Sequence, residues 1–201
     1  RASASRFSDI HWTARSILRD RAFWISILAF MPISFILTGI QQNIGPIALD
    51  LDVQAVKASA LMSIWAAMMA LGKVTFGAMS DHFDNRYLFW IQGSVIIPCL
   101  VFLMGEPSFL ELSIICGVLG ASMGGTLPLV GSIIAARFGP RYFGQAMGLM
   151  MPFLTVSSLG YVATGWIRDT TGSYDVALVG LLAILFPCIL GMAAMPKLRN
   201  P

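Results

Sequence analysis

The sequence predicts an all-α membrane protein with six transmembrane helices. Of its 201 residues, 57% are hydrophobic and only 11% are charged, which is less than half the charged fraction of a typical soluble domain. Uncharged stretches such as 22–42 and 112–136 are long enough to cross about 30 Å of hydrocarbon as helices. They lack the alternation of barrel strands, so helices are the remaining way to satisfy the backbone in lipid.

Six candidate spans follow one another with short connections. They cover 22–42, 58–79, 87–104, 110–136, 143–167 and 174–195. We therefore predict a cytoplasmic connector at 1–21, a six-helix domain at 22–195 and a cytoplasmic tail at 196–201. Five of the spans contain a proline, and a kink is expected at each one. These residues are Pro32, Pro98, Pro128, Pro152 and Pro187.

The cations of the chain collect on one side of the predicted spans. Because cytoplasmic loops retain Lys and Arg, this asymmetry predicts that both termini are cytoplasmic and that the acidic 50–52 turn is not. The connector is predicted to contain a short basic amphipathic helix. We expect a multi-pass protein of the plasma membrane, with the bacterial inner membrane as the first choice. The basic residues form no face with interleaved aromatics, so nucleic acid is not an expected partner.

Glycines recur at helical spacing in two spans. In the fourth span, Gly117, Gly120, Gly124 and Gly131 lie on one helix face, which can approach a neighbouring helix or a substrate closely. Residues 144 and 148 repeat the spacing in the fifth span. There, tight helix packing is the favoured interpretation.

The loop between the second and third spans carries the most specific pattern, GAMSDHFDNR at 77–86. A glycine allows close helix approach, an aspartate ends the span and a cation follows, so charge and dipole contacts can latch two helix ends together. The pattern resembles the loop signature of major facilitator transporters, Gly-x-Leu-x-Asp-Arg-x-Gly-Arg-Lys/Arg. Gly77, Asp81 and Arg86 match it and are the predicted gating latch; the alternative is an ordinary polar turn. His82, Asp84 and Asn85 replace its arginine, glycine and arginine.

Two further segments resemble the monocarboxylate-transporter-like branch of the same superfamily. GWIRDTTGSY at 165–174 is similar to the segment that joins the last two helices, and RDRAFW at 19–24 is similar to the start of the seventh helix. Together they align the chain with helices seven to twelve. The resemblance implies one half of a major facilitator fold, built as two inverted three-helix repeats. It also implies a partner, the N-terminal six-helix half of the same transporter.

Lys73 is the charged residue most relevant to mechanism. It precedes Asp81 by eight residues, which places it about 12 Å inward from that helix end. A cation at that depth marks a pathway or a partner, unless its flexible stem reaches back to the interface. In the resembled branch an arginine with a functional role occupies this place, which implies that Lys73 contacts an anionic substrate group. Met69 replaces the accompanying carboxylate, so a proton would be carried by an acid of the other half or by Lys73.

Uncharged polar residues of the first and fourth spans are the other candidate substrate ligands. They are Thr38, Gln41, Gln42, Asn43, Ser122 and Thr126. Hydroxyls and amides can orient a small solute without a charge, and in the resembled family these two helices border the central cavity. The alternative is that the same groups form hydrogen bonds between helices.

The sequence lacks a complete set of residues for enzyme catalysis. GASMG at 120–124 fits the Gly-x-Ser-x-Gly pattern, but His11 and His82 fall in polar segments away from Ser122. The three cysteines sit in apolar runs without metal-ligand spacing, and no phosphate-binding loop is present. We therefore predict no enzyme, no cofactor and no metal.

The sequence as a whole predicts a secondary transporter in the lipid bilayer. It would move a small solute, for example an organic anion such as a monocarboxylate, by alternating access with proton or other ion coupling, as a symporter does. The competing class is a non-transporting membrane scaffold or a channel assembled from six-helix subunits. A channel should show a repeated polar pore face or a charged ring, and the sequence has neither.

Overall fold

The computed structural model describes residues 11–105 and 107–193, and all regular structure in them is helical. The helices are α1 (Ala14–Arg19), α2 (Arg21–Asp50), α3 (Ala55–His82), α4 (Asn85–Leu103), α5 (Phe109–Phe138), α6 (Phe143–Val156), α7 (Leu159–Thr171) and α8 (Asp175–Ala193). Five apolar segments are long enough to cross a membrane, the fifth being α6 and α7 together, and α8 is a further, shorter apolar helix. The predicted all-helical membrane fold is confirmed. The predicted tail and the first ten residues of the predicted connector lie outside the described residues.

Helix α2 continues well beyond the predicted end of the first span at residue 42. Polar residues 41–43 were expected to end the span, but the helix runs on through Pro46 to Asp50. The reason is that Asn43 is buried and its amide bonds to neighbouring helices. A polar side chain that is satisfied inside the bundle does not end a membrane helix.

The fifth predicted span is divided into α6 and α7 at Ser157 and Ser158. The division follows Pro152, and the backbone N–H groups of both serines bond three residues back instead of four. Thr38 of α2 lies 2.9 Å from the carbonyl oxygen of Ser157 and donates to it. A neighbouring helix thus satisfies a polar group at the break. Pro32, like the prolines of α4, α5 and α8, lies inside a continuous helix.

The contacts between helices repeat under exchange of the two halves of the chain. Exchanging α2 with α5, α3 with α6–α7 and α4 with α8 turns the α2–α7 contact into α5–α3 and the α2–α8 contact into α5–α4. It also relates α2–α3 to α5–α6 and leaves the α2–α5 and α4–α8 contacts in place. Each unit contains three spans, so the second runs in the opposite sense. This is the arrangement of two inverted three-helix repeats.

Burial follows the same symmetry. Inside the bundle lies 56% of the apolar stretch of α2 and 61% of that of α5, against 22% for both α3 and α6–α7. The related helices α2 and α5 therefore form the centre of the described unit. The related helices α3 and α6–α7 each leave most of their surface uncovered.

Glycines allow backbone contact at the two symmetry-related crossings. At the α3–α5 crossing, a Cβ added to Gly124 would overlap the carbonyl oxygen of Met69, and one added to Gly120 would lie 2.6 Å from that of Trp65. At the α2–α7 crossing, a Cβ on Gly160 would overlap the carbonyl oxygen of Phe35. Close approach through small residues is how helices associate where lipid removes the hydrophobic driving force.

Some glycines expected at close contacts do not make them within the described chain. A Cβ at Gly77, Gly144 or Gly148 would meet no atom within 4 Å, and one at Gly131 would come no nearer than 3.8 Å to the ring of Phe143. Within residues 11–105 and 107–193 these positions make no close backbone contact, and close helix approach at them stays a prediction. Gly144 and Gly148 are exposed, whereas Gly77 and Gly131 are half-buried.

The two ends of the bundle differ in net charge, although Asp20, Asp81 and Asp84 lie at the end where most of the cations are. We call the end that includes Arg15, Arg19, Arg21, Arg86, Arg137 and Arg141 the basic end. The opposite, acidic end includes Asp50, Asp52, Glu111, Asp169 and Asp175, together with Lys57 and Arg168. One ion pair holds α2 at each end, Asp20 with Arg137 at 2.6 Å and Asp50 with Arg168 at 2.7 Å.

The connector helix α1 is docked on the basic end. It buries Ile17 completely and leaves Arg15 and Arg19 exposed, which is the amphipathic pattern expected from the sequence. Just before it, the ring of Trp12 packs edge-on against Phe138 with 4.9 Å between centroids. The connector is therefore attached to the end of α5 as well as to the start of α2.

Replacing Gly124 by alanine should destabilise the bundle, because the new methyl group overlaps the backbone of α3. Overpacking of this kind costs about 1–3 kcal/mol, whereas alanine for glycine in an open helix interior gains about 0.5–1 kcal/mol. The measurement is the thermal unfolding midpoint of the full-length gene product in detergent. The control is Gly180→Ala, where a Cβ meets nothing within 4 Å. A Gly124→Ala midpoint equal to or above that of the control would contradict the close crossing.

Candidate functional site

A cavity of about 200 Å³ lies where α2, α5 and α6 meet. Its lining residues are Ser34, Leu37, Thr38, Met123, Thr126, Leu127, Val130 and Leu154. Thr38 and Thr126 lie near the middle of α2 and α5, so the cavity is at mid-depth in the bundle. A mostly apolar wall with a few hydroxyls suits a small ligand that has an apolar body and few polar atoms. A larger, open cleft of about 410 Å³ lies on the surface beside α1, away from the bundle interior.

Of the predicted substrate ligands, Thr38 and Thr126 are brought together at this cavity. The Thr38 hydroxyl lies 2.9 Å from the Ser157 carbonyl oxygen and 2.7 Å from that of Ser34. Its hydrogen therefore points to a backbone carbonyl, and only its lone pairs are available to the cavity. Thr126 is buried. Ser34 is a cavity hydroxyl that sequence analysis did not select.

Asn43 was predicted as a substrate ligand, and the structure places it outside the cavity lining. Its amide nitrogen donates to the carbonyl oxygens of Gly39 and Tyr161, at 2.8 and 3.1 Å. Its amide oxygen accepts from the hydroxyl of Tyr174 at 3.3 Å. These bonds join α2, α7 and the start of α8, which is the interhelical alternative.

Tyr174 must be protonated to donate its hydrogen bond to Asn43. Burial, and next the nearby Asp50 carboxylate, raise the pKa of its phenol above the ordinary value. A phenol with its ordinary pKa is already protonated at neutral pH, and the upward shift acts in the same direction, so Tyr174 can donate to Asn43. The network lies beside the Asp50–Arg168 ion pair at the acidic end.

Neighbours Gln41 and Gln42 also lie outside the cavity lining. Gln41 is half-buried and Gln42 is exposed. Both are on the part of α2 that extends toward the acidic end. Their predicted contact with a substrate stays a prediction.

Ser122 is buried next to the cavity but is not part of its lining. Its carbonyl oxygen accepts a hydrogen bond of 2.6 Å from the amide nitrogen of Gln92, a residue of α4 with no exposed surface. The same nitrogen donates to the hydroxyl oxygen of Thr126 at 2.8 Å. Sequence analysis missed Gln92. The available signal was an uncharged polar residue in the middle of an apolar span.

Lys73 is exposed on α3 and does not line the cavity. Its backbone nitrogen lies against Gly124, at the midpoint of α5. The lysine is therefore at the same depth as the cavity. Among residues 11–105 and 107–193, no ion pair or hydrogen bond involves its ammonium group.

The predicted latch loop forms a tight turn between α3 and α4. The Asp84 carboxylate caps α4 by accepting from the Arg86 backbone nitrogen at 3.0 Å. Asp81 is exposed in the last turn of α3, and no salt bridge within the described part of the chain includes it. A latch made by Asp81 stays a prediction.

The cysteines lie inside the bundle. Cys99, Cys116 and Cys188 are buried free thiols, in agreement with their interpretation as small apolar side chains. Within the described residues, no three His, Cys, Asp or Glu side chains are grouped so that they could hold a metal ion.

Comparison with known proteins gives one family and a consistent set of relatives. Residues 3–160 match the Major Facilitator Superfamily. Monocarboxylate transporter 9 of Rattus norvegicus is 30% identical over 142 residues, covering 68% of this chain and 28% of that protein. Monocarboxylate transporter 12 of Rattus norvegicus is 28% identical over 166 residues (76% and 33%), and monocarboxylate transporter 10 of Danio rerio is 24% identical over 152 residues (74% and 28%). The chain spans about a third or less of the length of these relatives.

Replacing Asn43 by leucine should lower the stability of the protein by about 1–2 kcal/mol, because it removes bonds to three backbone or side-chain groups and leaves the Tyr174 hydroxyl unpaired. The same change at the neighbouring, exposed Gln42 should have little effect. Thermal unfolding of both variants in detergent provides the comparison. Equal midpoints for the two variants would show that Asn43 does not join the helices as described.

Proposed function

Because this chain belongs to the major facilitator superfamily, we propose that it forms part of a secondary transporter that moves a small organic anion by alternating access. The chain is an integral, multi-pass membrane protein. A monocarboxylate is the anion that its relatives suggest, since several of them are named monocarboxylate transporters. The relatives are animal proteins, so the bacterial membrane expected from the sequence has no support from them.

The observation that carries this proposal is the cavity at the meeting of α2, α5 and α6. It lies at mid-depth between the two most buried helices, which are related by the internal symmetry. Binding near the midplane at a repeat interface is the usual arrangement in secondary transporters. A cavity of about 200 Å³ suits a molecule of a few heavy atoms.

Lys73 is the proposed partner of the anionic group. It is an exposed cation at the depth of the cavity, on a helix that leaves most of its surface uncovered. Charge at this depth is costly in lipid, so the ammonium group requires water, an anion or another protein segment. An aqueous pathway beside α3 would supply water and the anion, and its opposite wall would be another protein segment.

The second wall of that pathway would come from an N-terminal six-helix half of the same transporter. The uncovered surfaces of α3 and α6–α7 are where it would pack. Ion pairs at both ends of α2 favour movement of the described helices as one body. In this proposal the 77–86 loop, with Gly77, Asp81 and Arg86, latches the basic end when the substrate faces the other side.

Proton coupling needs a titratable side chain that carries the proton. The described spans contain no acidic side chain away from their ends. The Asp and Glu residues of the described chain lie in the turns or at the ends of helices. A carboxylate in the N-terminal half, or Lys73, is therefore the proposed proton carrier.

Counterflow in proteoliposomes that contain the full-length gene product tests the transport proposal. Labelled propionate, lactate and pyruvate are suitable probes. Saturable exchange of at least one of them is the expected result. Absence of exchange, or flux that does not saturate as in a channel, would overturn the proposal.

Lys73→Met should abolish saturable anion exchange while the thermal unfolding midpoint stays near that of the unchanged protein, because an exposed ammonium group contributes little to packing. Lys57→Met is the matched control. Lys57 is another exposed lysine of α3, near the acidic end, where its ammonium group lies 5.6 Å from the ring of Phe109. Unchanged transport in Lys73→Met would remove Lys73 from the anion site.

Both termini are proposed to be cytoplasmic, with the basic end facing the cytosol. An impermeant maleimide should then label Asp52→Cys from outside intact cells and should label His82→Cys only after permeabilisation. Both positions are exposed, and the three cysteines of this chain are buried; the protein without the two added cysteines gives the background labelling. The reverse labelling pattern would show that the orientation is wrong.

A further inference from the structure

Gln92 has a hydrogen-bonding arrangement that acts on the cavity without reaching it. Its side chain is completely buried between α4 and α5. One amide N–H bonds to the Ser122 carbonyl oxygen and the other to the Thr126 hydroxyl oxygen, at 2.6 and 2.8 Å. The carbonyl oxygen of Ser122 can only accept, so the group beside it must be the nitrogen of Gln92.

This arrangement determines what Thr126 can offer to a ligand. A hydroxyl has one hydrogen and two acceptor positions, and Gln92 occupies one of the acceptor positions. The Thr126 hydroxyl donates to the Ser122 carbonyl oxygen, with 3.3 Å between the two oxygens. This hydrogen bond is long, and the same carbonyl oxygen already accepts one from Gln92. A stronger acceptor in the cavity can replace that contact. Thr38 is the opposite case, since its hydrogen is committed to backbone carbonyls.

Gln92 also leaves a polar atom unsatisfied. Among residues 11–105 and 107–193 its side-chain oxygen has no hydrogen-bond partner, and it has no exposed surface. An unpaired buried carbonyl destabilises a protein, and Gln92 differs from the other buried amide of α4, Asn85, in that its nitrogen bonds two groups of α5 instead of one. The choice of an amide is explained if its two N–H groups are needed together.

We propose that Gln92 is a positioning residue that directs the hydroxyl hydrogen of Thr126 toward the cavity, where it meets a hydrogen-bond acceptor of the transported molecule. The inference rests on the proposed transport function and deepens it. The part of the ligand at Thr126 carries an uncharged acceptor, such as a carbonyl oxygen, which is separate from the anionic group proposed for Lys73. A group that donates is directed to Thr38.

The test is a double-mutant cycle on counterflow of labelled pyruvate, which has a keto oxygen besides its carboxylate, by the full-length gene product in proteoliposomes. Gln92→Met and Thr126→Val should each raise KM by about fivefold, the effect of losing one hydrogen bond between uncharged groups, with kcat little changed. The double variant should have the same KM as Thr126→Val, because Gln92 acts through the hydroxyl.

Asn85→Leu is the matched control. Asn85 is also a buried amide of α4 that donates to a hydroxyl of α5, that of Ser132 at 2.9 Å, and its side-chain oxygen is also unsatisfied. It does not contact the cavity lining, so its loss should leave KM unchanged.

Gln92→Glu keeps the test decisive if Gln92→Met does not fold. A protonated glutamic acid has the same size but a single donor, so it cannot serve Ser122 and Thr126 together, and KM should rise as in Gln92→Met. An unchanged KM in either folded variant, or effects of Gln92→Met and Thr126→Val that multiply, would overturn the inference. If the unmodified protein shows no saturable exchange, the proposed function fails instead, and that outcome is distinct.

Discussion

Inside a helix bundle in lipid, every polar group must find its partner in the chain itself. This constraint explains most of the polar residues in the spans. Thr38 bonds the carbonyl of Ser157 where the fifth span divides, and Asn43 joins α2 to α7 and Tyr174. Both residues lie in an apolar run and were predicted as substrate ligands, and only Thr38 also lines the cavity. Their hydrogen bonds show that a polar side chain inside the membrane can serve to satisfy backbone carbonyl groups of neighbouring helices.

The order of the six spans and most of their ends followed from the sequence, because the length of an apolar run depends on the bilayer alone; the end of the first span did not, since α2 continues to Asp50. The division of the fifth span did not, since it depends on a carbonyl that is satisfied from α2. The site was less predictable. Lys73 and Thr126 were both selected, yet only Thr126 lines the cavity. A helix that is apolar around its circumference gives no sign of which face looks inward, so only packing separates the two.

Charge is used differently at the ends and in the middle of the bundle. Asp20 and Asp50, at the two ends of α2, are each held by an arginine of another helix. Exposed pairs of this kind add little stability on their own, but their two-pronged geometry fixes how α2 meets α5 and α7. Lys73, at mid-depth, has no such partner among the described residues. The ion pairs at the ends fix the position of α2, whereas Lys73 has no such structural role among the described residues.

The two glycine crossings make stiffness uneven across the molecule. Where backbones touch, at Gly124 and Gly160, sliding one helix past the other would drive a carbonyl into the main chain of its neighbour. These contacts fix the register of α3 against α5 and of α7 against α2, so each pair of helices forms a block. The boundary between these two blocks passes through the cavity, where α2 and α5 meet through side chains. Small rearrangements around a solute can be absorbed there by changes of rotamer, while each block keeps its shape.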